Sequence, residues 1–151
     1  HEGAPNKKYV GKDACVIARD IGLQVAEDTR ILLCEVESSH PLVWTEQLMP
    51  VIPIVRMKNA DEAIDFAVQC EHGYRHTASI HSKNIDRLSR MAKVMNCSVF
   101  VKNGPNYSGL GYHGAGYTSF TIASPTGEGV TSVLDFTRVR RCTLVDAFRI
   151  I

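Results

Sequence analysis

No C-x-x-C pair occurs in this sequence, and its five cysteines (Cys15, Cys34, Cys70, Cys97 and Cys142) are odd in number and widely spaced. A zinc ribbon needs paired thiolates and a disulfide framework needs an even set, so neither is expected and a reducing compartment is. Charge of one sign is equally scarce. Seventeen Lys and Arg against sixteen Asp and Glu leave a net charge of +1, with no basic stripe to attract nucleic acid. No apolar run approaches the roughly 20 residues that cross a bilayer, and no signal-like segment is visible. Repeats and low-complexity tracts are also missing. Because the chain opens on His1 rather than methionine, it reads as a piece of a longer protein. What is present is ordinary: 151 residues, 44% hydrophobic and 22% charged, enough for one domain with a real core.

The chain is organised around Trp44–Val55. Glu46 stands in a polar-to-apolar transition, Pro50 stiffens the backbone, and Val51, Ile52, Ile54 and Val55 form a β-branched run. That run predicts a strand buried on both faces. An acid just ahead of such a strand is held on a rigid element, where ligands are often met. Upstream, Ala14, Ile17, Ala18 and Ile21 make one apolar helical face after Asp13, with Gly22 to close it. Arg30 to Val36 reads as a strand, and His40-Pro41 as a turn. Asn59 and Glu62 form a capping-box-like start to a helix reaching Cys70. Arg75–His81 is the next strand. A second capped helix carries Ile85, Leu88, Ala92 and Met95, and the strand Ser98–Val101 follows. Strands alternating with helices at these lengths predict an α/β fold with a parallel sheet and crossover helices.

From Asn103 to Gly129 the character changes, and seven of the eleven glycines fall there. A glycine-rich stretch this long is more than a connection and points to function. Gly109-Leu110-Gly111-Tyr112-His113-Gly114 spells G-x-G-x-x-G. It lacks both the strand immediately before it and the helix opening from its last glycine, so it is rejected as a dinucleotide fingerprint. His72, His76 and His81 have tempting spacings for metal. Gly73 and the strand pattern remove the shared helical face, and no metal site is expected. One of these histidines as a proton carrier fits better. Leu134–Val145, with Arg138, Arg140 and Arg141, reads as a charged edge strand that pairs with another subunit or domain.

Glu46-Gln47-Leu48-Met49-Pro50-Val51, a capped helix, then His72-Gly73-Tyr74 and Thr77-Ala78-Ser79 resemble the aldehyde dehydrogenase superfamily. The segments Phe100–Pro105, Gly116–Ala123, Pro125–Ser132 and Arg140-Arg141-Cys142 resemble its CoA-acylating branch, the propionaldehyde and acetaldehyde dehydrogenases of bacterial microcompartments. The likeness spans essentially the whole chain, as the C-terminal portion of such an enzyme. It implies residues 1–132 as part of the catalytic domain and 133–151 as an oligomerisation strand and tail.

The resemblance also implies a chemistry. A cysteine thiolate attacks a short aliphatic aldehyde, hydride passes to NAD, and the resulting thioester is transferred to coenzyme A. The nucleotide-binding domain and the nucleophilic cysteine are expected upstream of His1, so this segment alone should be inactive. Glu46 matches the glutamate that accepts hydrogen bonds from the nicotinamide ribose hydroxyls, and Leu48 stands where an aromatic often packs beside the nicotinamide. His76 matches the acid/base histidine that takes the proton of the CoA thiol. Asn103, Gly109, Gly111, Ser119, Phe120 and Thr121 are expected to line the aldehyde and acyl pocket. The partners implied are the upstream half of the enzyme and further copies of it, joined through the C-terminal strand, with neither nucleic acid nor membrane. The place implied is the cytoplasm, inside a microcompartment. Two alternatives stand beside this: the aldehyde dehydrogenase half of a bifunctional aldehyde–alcohol dehydrogenase, and a non-catalytic assembly module.

Overall fold

The structure, a computed structural model, describes residues 5–114 and 131–145. It divides into two compact units, His1–Cys70 and Glu71–Ile151.

In the first unit, helix α1 (Ala14–Asp20) follows Asp13, which takes the N-cap position without a side-chain cap bond. Three of the four residues of its expected apolar face, Ala14, Ile17 and Ala18, are buried, as is Ile64 from a later helix, whereas Ile21 follows the last helical residue as the C-cap and is 63% exposed. Gly22 follows in the left-handed region (φ +80°), where the chain can reverse without a Cβ clash. Strands β1 (Leu32–Glu35) and β2 (Val51–Ile54) pair in parallel, with Leu32 opposite Val51 and Glu35 opposite Ile54. The expected turn at His40-Pro41 is instead one turn of helix, α2 (Pro41–Trp44). Proline's fixed φ suits a first helical position, and His40 Nδ1 accepts the Leu42 N–H at 3.2 Å. Helix α3 (Ala60–Cys70) starts as predicted. Asn59 Oδ1 accepts the Glu62 N–H and Asn59 Nδ2 donates to Glu62 Oε1, both at 2.9 Å.

The expectation that β2 is covered on both faces is not met among the described residues. Exposure alternates along both strands, and Ile52 and Ile54 remain 46% and 41% exposed. A continuous apolar run records how hydrophobic a strand is, while burial of its second face needs another layer. Proline in β2 agrees with an edge position, since Pro53 has no N–H to give a second neighbour.

In the second unit, β3 (Thr77–Ile80) and β4 (Val99–Lys102) form another parallel pair, Thr77 opposite Val99. Between them runs α4 (Ile85–Met95). The parallel, helix-connected pattern of an α/β fold is therefore present, among the described residues as one two-stranded ladder in each unit. Ala78, Leu88, Met91, Met95, Val99 and Val101 are the buried hydrophobic residues among those described in this unit. Ile85, assigned to the apolar face from its spacing, is 66% exposed, and Met91 takes the third core place on the helix.

Asn84 caps α4 through its side-chain oxygen on the Arg87 N–H at 3.0 Å, and Asn96 ends the helix in the left-handed region. Asn84→Ala should cost about 1 kcal/mol, the usual worth of such a cap. The midpoint of chemical denaturation reads it, and aspartate at the same position should restore it.

A 3₁₀ helix (Asn106–Leu110) follows β4, and another (Val133–Phe136) opens the C-terminal segment. The strand expected over 134–145 is not formed among the described residues. Ser132 and Asp135 close a capping box, with Asp135 held below the usual carboxylate range by the Ser132 N–H and hydroxyl. That box commits 133–136 to a tight turn. Residues 137–145 have no ladder partner among the described residues, and the N–H and C=O groups of a strand need one. Among the described residues no helix is long and apolar enough to cross a membrane.

Candidate active site

Glu46 lies on the loop between α2 and β2, and several local contacts fix that loop. Trp44 Nε1 donates to the Ser38 carbonyl at 2.7 Å, and its ring meets Phe66 of α3 edge-on at 5.3 Å. Gln47 Nε2 donates to the Leu42 carbonyl. Beyond the acid, the Leu48 carbonyl accepts the Gly11 N–H at 3.0 Å and the Pro50 carbonyl accepts the Leu32 N–H at 2.8 Å. Glu46 itself is exposed, and no described residue engages its carboxylate. Leu48 sits at φ +50° with its side chain 67% exposed. It borders an open cleft of about 600 Å³, with Lys12, Asp13, Glu27, Arg30 and Met49 also in its wall.

His76 is carried by the second unit, on the turn from α3 into β3, one residue ahead of the strand in which the sequence pattern places it. The turn is tight, with positive φ at His72, Gly73 and Arg75. Glu71 holds it together: its carboxylate accepts the N–H groups of Gly73 (3.0 Å), Arg75 and His76 (3.3 Å). The Val99 N–H donates to the His76 carbonyl at 3.1 Å, tying the turn to β4. The imidazole is exposed, with Nδ1 2.6 Å from the Thr77 hydroxyl oxygen. Sequence reasoning gave no role to Glu71, and took Thr77 only as part of a family motif. The available signal was an acid two residues before a glycine, the spacing that lets a carboxylate collect turn amides.

The other expected residues separate by what holds them. Asn103, at φ +56°, has its amide committed to one backbone residue: Oδ1 accepts the Ser82 N–H at 2.7 Å and Nδ2 donates to the Ser82 carbonyl at 2.9 Å. Gly109 is pressed against β4, and a Cβ there would sit 2.3 Å from Val99 Cγ1. Gly111 ends the 3₁₀ helix at φ +100°. No strand immediately precedes these glycines, in keeping with rejection of the dinucleotide fingerprint. Ser119, Phe120 and Thr121 lie outside the described residues. Burial pushes the Cys97 and Cys70 thiols up, so both stay protonated at neutral pH. Cys15, on α1, is half-buried.

Residues 29–139 match the model of the aldehyde dehydrogenase family. The chain is 53% identical over 150 residues to acetaldehyde dehydrogenase (acetylating) EutE of Salmonella typhimurium, covering 99% of this chain and 32% of that protein. Its fold superimposes on Rhodopseudomonas palustris propionaldehyde dehydrogenase with bound CoA and an acylated cysteine. The TM-score is 0.84 at 48% identity, over 95% of this chain and 33% of that one. A propionaldehyde dehydrogenase from the Clostridium phytofermentans fucose utilisation bacterial microcompartment gives a TM-score of 0.80 at 46% identity, over 97% and 34% respectively. The chain thus spans about a third of the length of the relatives it matches. By its family-model match over most of its length, this chain belongs to the aldehyde dehydrogenase family.

Proposed function

We propose that the protein to which this chain contributes converts a short aliphatic aldehyde, NAD and coenzyme A to acyl-CoA and NADH through a cysteine thioester. The observation that carries this reading is the likeness to acylating enzymes across 99% of the chain. The nucleophile is the family's cysteine, and none of the five cysteines here takes that part.

Glu46 holds the nicotinamide ribose. An exposed carboxylate with no partner among the described residues offers two acceptor oxygens to a pair of neighbouring hydroxyls, and the contacts around Trp44, Gln47 and Leu48 fix the loop that carries it. Bound NAD supplies the hydride acceptor. Leu48 packs beside the nicotinamide. Asn103, Gly109, Gly111, Ser119, Phe120 and Thr121 border the aldehyde and acyl pocket, with Asn103 acting through the Ser82 backbone that it fixes.

His76 removes the proton from the CoA thiol, so that a thiolate meets the acyl-enzyme carbonyl and the cysteine leaves. Its support is an imidazole that is exposed, on a turn pinned by Glu71, for a co-substrate that arrives from solvent. The C-terminal segment joins copies of the enzyme. Val133, Leu134, Phe136 and Val139 leave large apolar surfaces exposed there, as a subunit contact requires. The enzyme works inside a bacterial microcompartment.

The test of the ribose assignment is Glu46→Ala in the complete protein. Losing a charge-assisted hydrogen bond should raise the KM for NAD about tenfold and slow hydride transfer. NAD kinetics unchanged from the parent enzyme would remove Glu46 from that role.

A further inference from the structure

We infer that Thr77 is a positioning residue for His76: its hydroxyl oxygen accepts the Nδ1 proton of the imidazole and so leaves the Nε2 lone pair free to act as the base. This rests on the assignment of His76 as the group that deprotonates CoA.

The argument starts from the ring. A neutral imidazole carries one proton, and the hydrogen bond made by one nitrogen decides which of the two holds it. His76 Nδ1 lies 2.6 Å from Thr77 Oγ1, a full hydrogen bond. A hydroxyl can donate or accept across that distance. If it donated to Nδ1, the proton would sit on Nε2 and the ring would offer substrate no lone pair. If it accepts from Nδ1–H, Nε2 is basic. When Nε2 then takes the thiol proton, the imidazolium keeps its Nδ1–H bond to Thr77, and the ring needs no reorientation during transfer. The thiolate sulfur attacks the thioester carbonyl, the new C–S bond forms as the enzyme's cysteine leaves, and the proton remains on His76.

The frame around the pair is rigid where it has to be. Thr77 is half-buried and is the first residue of β3, in register with Val99. The amide of His76 is held by Glu71 and its carbonyl by Val99 N–H. Glu71, His72, Tyr74 and Arg75 are the titratable or charged residues of the turn besides His76 itself, and Cys97, just ahead of β4, is kept neutral by burial.

The test uses Thr77→Val and Thr77→Ser in the complete protein, with His76→Ala as reference. Valine keeps the β-branched shape and removes the acceptor, and Thr77→Ala serves if valine does not fold. Two quantities are read: imidazole nitrogen chemical shifts, which report the tautomer, and the single-turnover rate of CoA-dependent thioester release. Valine should erase the Nδ1-protonated signature and slow release about tenfold, with thioester formation unchanged, and serine should restore both. An unchanged tautomer and rate with valine, while His76→Ala still abolishes release, overturns the role of Thr77 alone. Equal slowing of both half-reactions with an unaltered tautomer also overturns it, leaving Thr77 a strand residue. Should His76→Ala leave release intact, the base assignment itself falls.

Discussion

Replacing His76 by alanine in the complete protein is expected to slow CoA-dependent release of the acyl group by about 10²–10⁴-fold, the usual worth of a positioned general base. Formation of the thioester should proceed at its normal rate. The asymmetry follows from the second nucleophile. A thiol with a pKa of about 8.5 is only a few per cent ionised near neutral pH, and the thiolate is the form that attacks. A nitrogen base within reach of the thiol removes that limit, whereas the first half-reaction uses the enzyme's own cysteine. Rapid-quench measurement separates the steps, with acyl-enzyme accumulating first and CoA added in a second mix. Accumulation of acyl-enzyme in the variant, discharged slowly by CoA, is the expected record. Raising the pH should recover part of the lost rate, because more of the thiol is then ionised without help. Loss of both steps together, or of neither, would take His76 out of the mechanism.

The second large effect is on stability. Gly109→Ala places a methyl group 2.3 Å from Val99 Cγ1 and 3.5 Å from Val101 Cγ2. Both valines are buried in β4, at 8% and 7% exposure. Such overpacking costs about 1–3 kcal/mol, or requires the 3₁₀ helix to move away from the strand. The expectation is a lower denaturation midpoint with an unchanged denaturant slope. Gly104→Ala is the internal control, since its methyl would meet the Ser108 hydroxyl at 3.1 Å, the end of a small side chain that can rotate. Equal stability for Gly109→Ala and the parent would mean that this glycine is not packed against β4. The two results also divide the glycine-rich segment by role: a purely ligand-facing Gly109 would alter pocket kinetics and leave stability alone.

Helices α3 and α4 were legible because their signals are local. Asn59 with Glu62, and Asn84 with Arg87, bond across three residues, and a preference of that range is written in the order of the letters. The parallel strands were legible as segments, β2 from its β-branched run and β1 from the apolar run Ile31–Cys34. Their ends shifted by a residue or two because a ladder ends where its partner ends. The helical turn at Pro41–Trp44 was missed because the residue before proline is extended in both a turn and an N-cap.

The sequence by itself determined the α/β class, the side-chain caps of α3 and α4 and the family likeness, and it singled out Glu46 and His76 as candidates, all from neighbouring residues or long ordered motifs. Only the tertiary structure decided that Asn103 spends its amide on Ser82, 21 residues away, and that Gly109 is small because Val99 is there. It likewise decided that Glu71 gathers the amides ahead of His76 and that Ile52 and Ile54 keep an open face. The physical reason is the same in each case. A hydrogen bond or a close approach is settled by where the backbone has already been brought, and residue types alone leave several partners equally acceptable.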